Sequence, residues 1–207
     1  MHQPGTPDDL AEPERMWGHA VALALASAAG LDGNEYHVDE HGVLCETAGG
    51  SYWWRLRRCS EGRTVLYGQD SDGSRTHLGK TPFPYFETAP DWLPYDALNA
   101  LAETRELGFV YWCDTSGWSR APYPPGLVDD GLFCVTMLVA EREYGEEMEE
   151  YEEPLVLLDR VRRRTVDEDL IDVLLDAADE AGATSDRATR RATTLCYAEL
   201  AGVVGEP

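Results

Sequence analysis

Residues 51–70 read SYWWRLRRCSEGRTVLYGQD, two runs of alternating character separated by Cys59-Ser-Glu-Gly62. In the first run Tyr52, Trp54 and Leu56 alternate with Trp53, Arg55 and Arg57. A period of two sends successive side chains to opposite faces of a strand. The pattern predicts a strand over 51–59 that pairs with another over 63–69.

The same chemistry recurs on either side. Three segments share the pattern D-x-x-G between apolar or aromatic flanks: Asp39-Glu-His-Gly42, Asp70-Ser-Asp-Gly73 and Asp114-Thr-Ser-Gly117. An aspartate opening a turn and a glycine supplying positive φ at its end suit hairpin connections. Hairpins are therefore expected over 35–48, 63–78 and 108–121. Between the second and third lies a proline- and aromatic-rich loop, 81–94, with a short helix over about 94–106.

Helices are expected at the ends of the chain. Glu12-Pro13-Glu14 places proline and acids in a first helical turn, and Met16, Trp17, Ala20, Val21, Ala24 and Ala28 recur at helical spacing before Gly30. Thr165-Val-Asp-Glu168 reads as a capping box, opening a helix to about Ala181 with Leu170, Ile171, Leu174 and Ala178 inward. A last helix over 186–201 is expected to bury Ala188, Ala192, Leu195 and Cys196. The apolar runs 132–140 and 155–158 read as two central strands. The fold class is α+β: an antiparallel β-meander of hairpins flanked by an N-terminal helix and two C-terminal helices. A loose tail is expected over 1–11, then a single domain over 12–203 that contains an acidic connection, 141–153.

The chain has 207 residues and a formal net charge of −22. Residues 51–100 are neutral, whereas 1–50 and 101–150 each carry −8 and 151–207 carries −6. Such a field repels nucleic acid and anionic membranes and hastens encounter with basic proteins. No window approaches the roughly 18 apolar residues of a membrane span, and acids rather than bases precede the alanine-rich stretch 20–30, so no secretory leader is read there. Five dispersed cysteines, Cys45, Cys59, Cys113, Cys134 and Cys196, include no C-x-x-C pair and suit a reducing cytoplasm.

Catalytic and cofactor motifs fail on spacing. Gly79-Lys80-Thr81 ends like a P-loop, but the pattern needs glycine at position 74, which is serine. His37, Asp39 and His41 would share a strand face and suit zinc, yet the turn at Asp39 breaks that alternation. Asp70-Ser-Asp-Gly73 has its glycine two places early for a calcium loop. There is no G-x-S-x-G elbow. No cofactor or metal is expected, and an enzyme is disfavoured.

Two binding surfaces remain. The first is 141–153, with eight glutamates in thirteen residues. There Tyr144, Met148 and Tyr151 lie among Glu146, Glu147, Glu149 and Glu150, a composition suited to steering and contacting an arginine- or lysine-rich protein. The second is a small-molecule pocket near Trp112, Trp118, Arg120 and Tyr123, with His77 as acid or base. The leading expectation is a non-enzymatic binding or regulatory protein that docks a basic partner. In size and charge the chain is similar to small acidic bacterial immunity and antitoxin proteins, a likeness of composition that no motif carries.

Overall fold

The computed structural model describes residues 1–31, 36–47, 49–78, 83–139 and 152–205, with backbone alone for 152–155. It bears out the α+β class. Six strands succeed one another in chain order, and each described pairing between neighbours is antiparallel. The chain divides into two compact units, residues 1–13 with 49–139 and residues 14–48 with 140–207, where the sequence reading has one domain.

The first unit is built on 51–70. Strands β3 (Tyr52–Arg58) and β4 (Thr64–Asp70) pair as expected, with Trp54 opposite Gly68 and Leu56 opposite Leu66. β4 pairs in turn with β5 (Phe109–Asp114), and β5 with β6 (Gly117–Ser119) across the Asp114–Gly117 turn. Period-two alternation gives this meander two apolar faces. One carries Val65, Tyr67, Val110 and Trp112, packed with Tyr85, Leu93, Leu98 and Leu107 from the aromatic loop and helix α2 (Tyr95–Thr104). The other carries Trp54, Leu56, Leu66, Phe109 and Tyr111, all buried. Gly68 is required at its place in β4: a Cβ there would lie 2.3 Å from the Trp53 carbonyl oxygen.

Three expectations in this unit are corrected. The hairpin over 63–78 does not form. Asp70 Oδ1 instead accepts the N–H groups of Asp72 and Gly73, at 3.0 and 2.9 Å, and turns the chain out of the sheet after β4. The expected strand over 132–140 is a 3-10 turn, Leu132–Val135, running into a short helix α3, Thr136–Val139. A short apolar run has no period to separate strand from buried helix. Residues 1–11 are not loose: Pro7–Asp9 form a 3-10 turn, and Asp9 Oδ2 accepts the Thr6 N–H at 2.8 Å.

The second unit contains helix α1 (Pro13–Ala29), the hairpin of β1 (Tyr36–Asp39) and β2 (Gly42–Glu46), and helices α4 (Glu152–Arg163), α5 (Glu168–Glu180) and α6 (Arg187–Ala201). The hairpin closes at Asp39 and Gly42 as expected. Residues 155–158 lie in α4, not in a strand. α5 is capped by Asp167, whose side chain accepts the Leu170 N–H at 3.0 Å, so the cap lies two residues beyond Thr165. α6 buries Arg190, Thr194, Ala198 and Ala201, whereas Ala188, Ala192 and Cys196 are exposed. Its inner face is rotated because Arg190, 5% exposed, belongs to the interior. Among the described residues no helix is long and apolar enough to cross a membrane.

Candidate functional site

The expected ligand residues do not form one pocket. On the β5–β6 pair Trp112 lies opposite Ser119, whereas Trp118 lies opposite Cys113. Directly opposed residues share a face, so the two indoles point to opposite sides of the sheet. Trp112 is 5% exposed within the aromatic core. Trp118 instead donates its indole N–H to the Ala11 carbonyl at 2.8 Å. His77 belongs to a different neighbourhood. Its Nδ1 is buried without a hydrogen-bond partner among the described residues, and burial, with Arg75 and Arg105 nearby, pushes its pKa below the ordinary histidine value. The segment is anchored beside it by Thr76, whose hydroxyl donates to the Gly108 carbonyl at 2.7 Å.

What the fold does assemble is a buried carboxylate that local sequence gave no reason to select. Asp130 is 1% exposed and lies just before the 3-10 turn at Leu132. Its Oδ2 accepts the hydroxyls of Tyr111 and Tyr123, at 2.8 and 2.7 Å. Its Oδ1 accepts the N–H groups of Gly5, at 2.9 Å, and Leu132, at 3.3 Å. The Asp130 carbonyl accepts the Ser74 hydroxyl at 2.9 Å. Arg120 stacks over the Tyr123 ring, 3.6 Å from guanidinium carbon to centroid, and donates to the carbonyls of Gly5, at 3.1 Å, and Ala121, at 2.8 Å. Of the five residues expected at the pocket, Arg120 and Tyr123 thus meet here, joined by Asp130 and Tyr111.

This arrangement holds groups in place and does not suit proton transfer. Four donors occupy the carboxylate, two on each oxygen, which uses its acceptor sites. Both phenols resist ionisation: burial raises the pKa of Tyr111, and burial together with Tyr111 and Asp130 raises that of Tyr123. A phenol hydrogen-bonded to a buried carboxylate keeps its proton, because losing it would put two negative charges side by side. Tyr85, which donates to the Leu107 carbonyl, also resists ionisation, its pKa pushed up to about 12 by burial alone.

The other candidates are resolved locally. His37 Nδ1 meets the Tyr197 hydroxyl at 3.1 Å, and the His41 N–H is turned back onto Asp39 Oδ1 at 2.7 Å. No group of three potential metal ligands occurs among the described residues. An open hollow of about 370 Å³ is lined by Arg57, Leu93, Pro94, Tyr95, Asp96 and Ala97, none of them an expected ligand residue. Tyr144, Glu146, Glu147, Met148, Glu149, Glu150 and Tyr151, the residues expected to contact a partner, lie outside the described residues. No family model, curated protein or solved structure matches the chain.

Proposed function

We propose that this chain is a non-enzymatic binding or regulatory protein of the cytoplasm that docks a basic protein partner through the acidic segment 141–153. The observation that carries the reading is where the positive charge of the neighbouring region goes. Residues 151–207 contain seven arginines, and five of them are ion-paired within their own unit. Arg160 meets Asp167, and Arg163 meets Asp159 at 3.0 Å. Arg187 bridges Asp176 and Asp179, at 2.8 and 2.5 Å, and Arg190 also meets Asp179. Arg191 holds Glu168 and Asp172, at 2.7 and 2.9 Å. Arg162 donates to His19 Nε2 at 3.1 Å.

With six of these seven arginines engaged, a segment that holds eight glutamates and a single arginine, Arg142, favours compensating charge from another molecule. Glutamates at that density accelerate encounter with a basic surface and disfavour acidic ones, while tyrosine and methionine supply the contact area common at interface centres. The saturated Asp130 carboxylate is consistent with binding rather than turnover.

The test uses a defined cationic probe, an arginine- and lysine-rich peptide titrated calorimetrically at two salt concentrations. Replacing Glu146, Glu147, Glu149 and Glu150 together with glutamine is expected to weaken binding at least tenfold at low salt. Unchanged affinity in that variant would overturn the reading.

A further inference from the structure

Gly5 is gripped through both of its backbone polar groups. Its N–H donates to Asp130 Oδ1 at 2.9 Å, and its carbonyl accepts from Arg120 Nε at 3.1 Å. An anionic and a cationic side chain thus hold the two backbone polar groups of one residue, and the anionic one is 1% exposed. The fit admits only glycine. A Cβ on Gly5 would lie 2.4 Å from Leu132 Cδ2 and 2.9 Å from the Tyr111 hydroxyl oxygen. Farther along, Trp118 holds the Ala11 carbonyl at 2.8 Å.

The groups that do the gripping are positioned without Gly5. Asp130 keeps Tyr111, Tyr123 and the Leu132 N–H, and Arg120 keeps its stack on Tyr123 and its bond to Ala121. Apart from these contacts, the segment that is gripped buries little apolar surface. Within residues 1–11 only Gly5 and Leu10 are buried, and the Asp9 carboxylate binds His2 and Thr6 of the same segment rather than the sheet. A segment with so little apolar burial opens locally, at lower free energy than the unit as a whole.

We propose that Asp130 and Arg120 form a peptide-binding cradle, and that residues 1–11 are its displaceable occupant. When this strap lifts, one acceptor position on Asp130 and one donor on Arg120 become available at the spacing of a single residue's N–H and C=O. They receive a segment that carries glycine at the point of contact, because Leu132 and Tyr111 exclude any side chain. The strap thereby keeps the cradle closed in the resting protein. This inference is independent of the acidic segment.

The probe is a fluorescein-labelled peptide with the sequence of residues 1–11, followed by anisotropy against the full chain. A tethered strap competes at an effective concentration on the order of millimolar, so the wild type is expected to take the peptide weakly. Gly5→Val in the full chain, which cannot seat its own strap, is expected to bind it at least tenfold more tightly. The same peptide carrying valine for Gly5 is expected to bind neither protein. Equal affinity for the wild type and the variant, or for the two peptides, would overturn the proposal. Should Gly5→Val fail to fold, Leu10→Asp releases the strap from a position outside the cradle and is read in the same way. In the wild type, the Gly5 amide is expected to exchange with deuterium faster than the β4 and β5 amides; exchange only on global unfolding would remove the displaceable strap.

Discussion

Replacing Asp130 with alanine tests whether the buried carboxylate organises the first unit. The substitution strands four donors at once. Tyr111 is completely buried, so its hydroxyl has no water to turn to, and a buried donor left unsatisfied costs about 1–3 kcal/mol. The Gly5 N–H is buried as well, but it lies on a strap that can lift to water, so its cost is limited to that of opening the strap. The Leu132 contact is long at 3.3 Å and Tyr123 is half-buried, so these two lose less. Against this stands the removal of a charge that was itself expensive to bury. The balance is a loss of about 2–3 kcal/mol, a substantial part of the 5–15 kcal/mol typical of a folded domain. Asp130→Asn keeps the shape and one oxygen, and is expected to lose only about 1–2 kcal/mol. Urea unfolding followed by tryptophan emission is the assay, because five of the six tryptophans, Trp53, Trp54, Trp92, Trp112 and Trp118, lie in this unit. In a Tyr111→Phe background the cost of Asp130→Ala should fall by about 1 kcal/mol, the signature of a shared contact. An alanine variant within about 1 kcal/mol of the wild type, or equal to the asparagine variant, would refute the reasoning.

Arg190→Met should destabilise the second unit by about 2–3 kcal/mol in thermal unfolding by circular dichroism. It removes a buried donor from the Ala29 carbonyl, 2.6 Å away, and a partner of the more exposed Asp179, whose share solvent screening reduces. Unchanged stability would show that Arg190 is not part of the interior. Acid should loosen the N-terminal strap before the sheet. Despite partial burial, hydrogen bonds from Thr6 and His2 lower the Asp9 pKa from 3.8 to about 2. Its contribution is therefore present above pH 4 and is lost as pH falls from about 4 to 2. Amide exchange at His2 and Thr6 should rise through that window, and Asp9→Asn should flatten the response.

The strands were legible because their signals are local. Alternation across 52–58 reports two faces, and D-x-x-G at Asp39 and Asp114 closes hairpins within four residues. The same turn at Asp70 misled, since it leaves the sheet instead of returning to it. Whether a strand follows a turn depends on what lies beside it. The apolar runs 132–140 and 155–158 carried no period and were assigned the wrong element, as continuous runs without flanking constraint are.

By itself, the sequence determined the class of fold, the pairing of the segment over 51–59 with that over 63–69, two of the hairpins and the distribution of charge, all of which follow from the spacing of neighbouring residues. Only the tertiary structure decided which side chains meet. Trp112 and Trp118 are near neighbours in sequence, yet pairing with Ser119 and Cys113 places them on opposite faces. Arg190 and Thr194 look like surface residues but line the inner face of α6. Asp130 stands next to Asp129 in a proline- and glycine-containing loop and reads as a solvated charge. Its four donors come from Gly5, Tyr111, Tyr123 and Leu132, the first 125 residues away along the chain. No local rule relates such positions: burial of a carboxylate is tolerable only once folding has brought every donor to it.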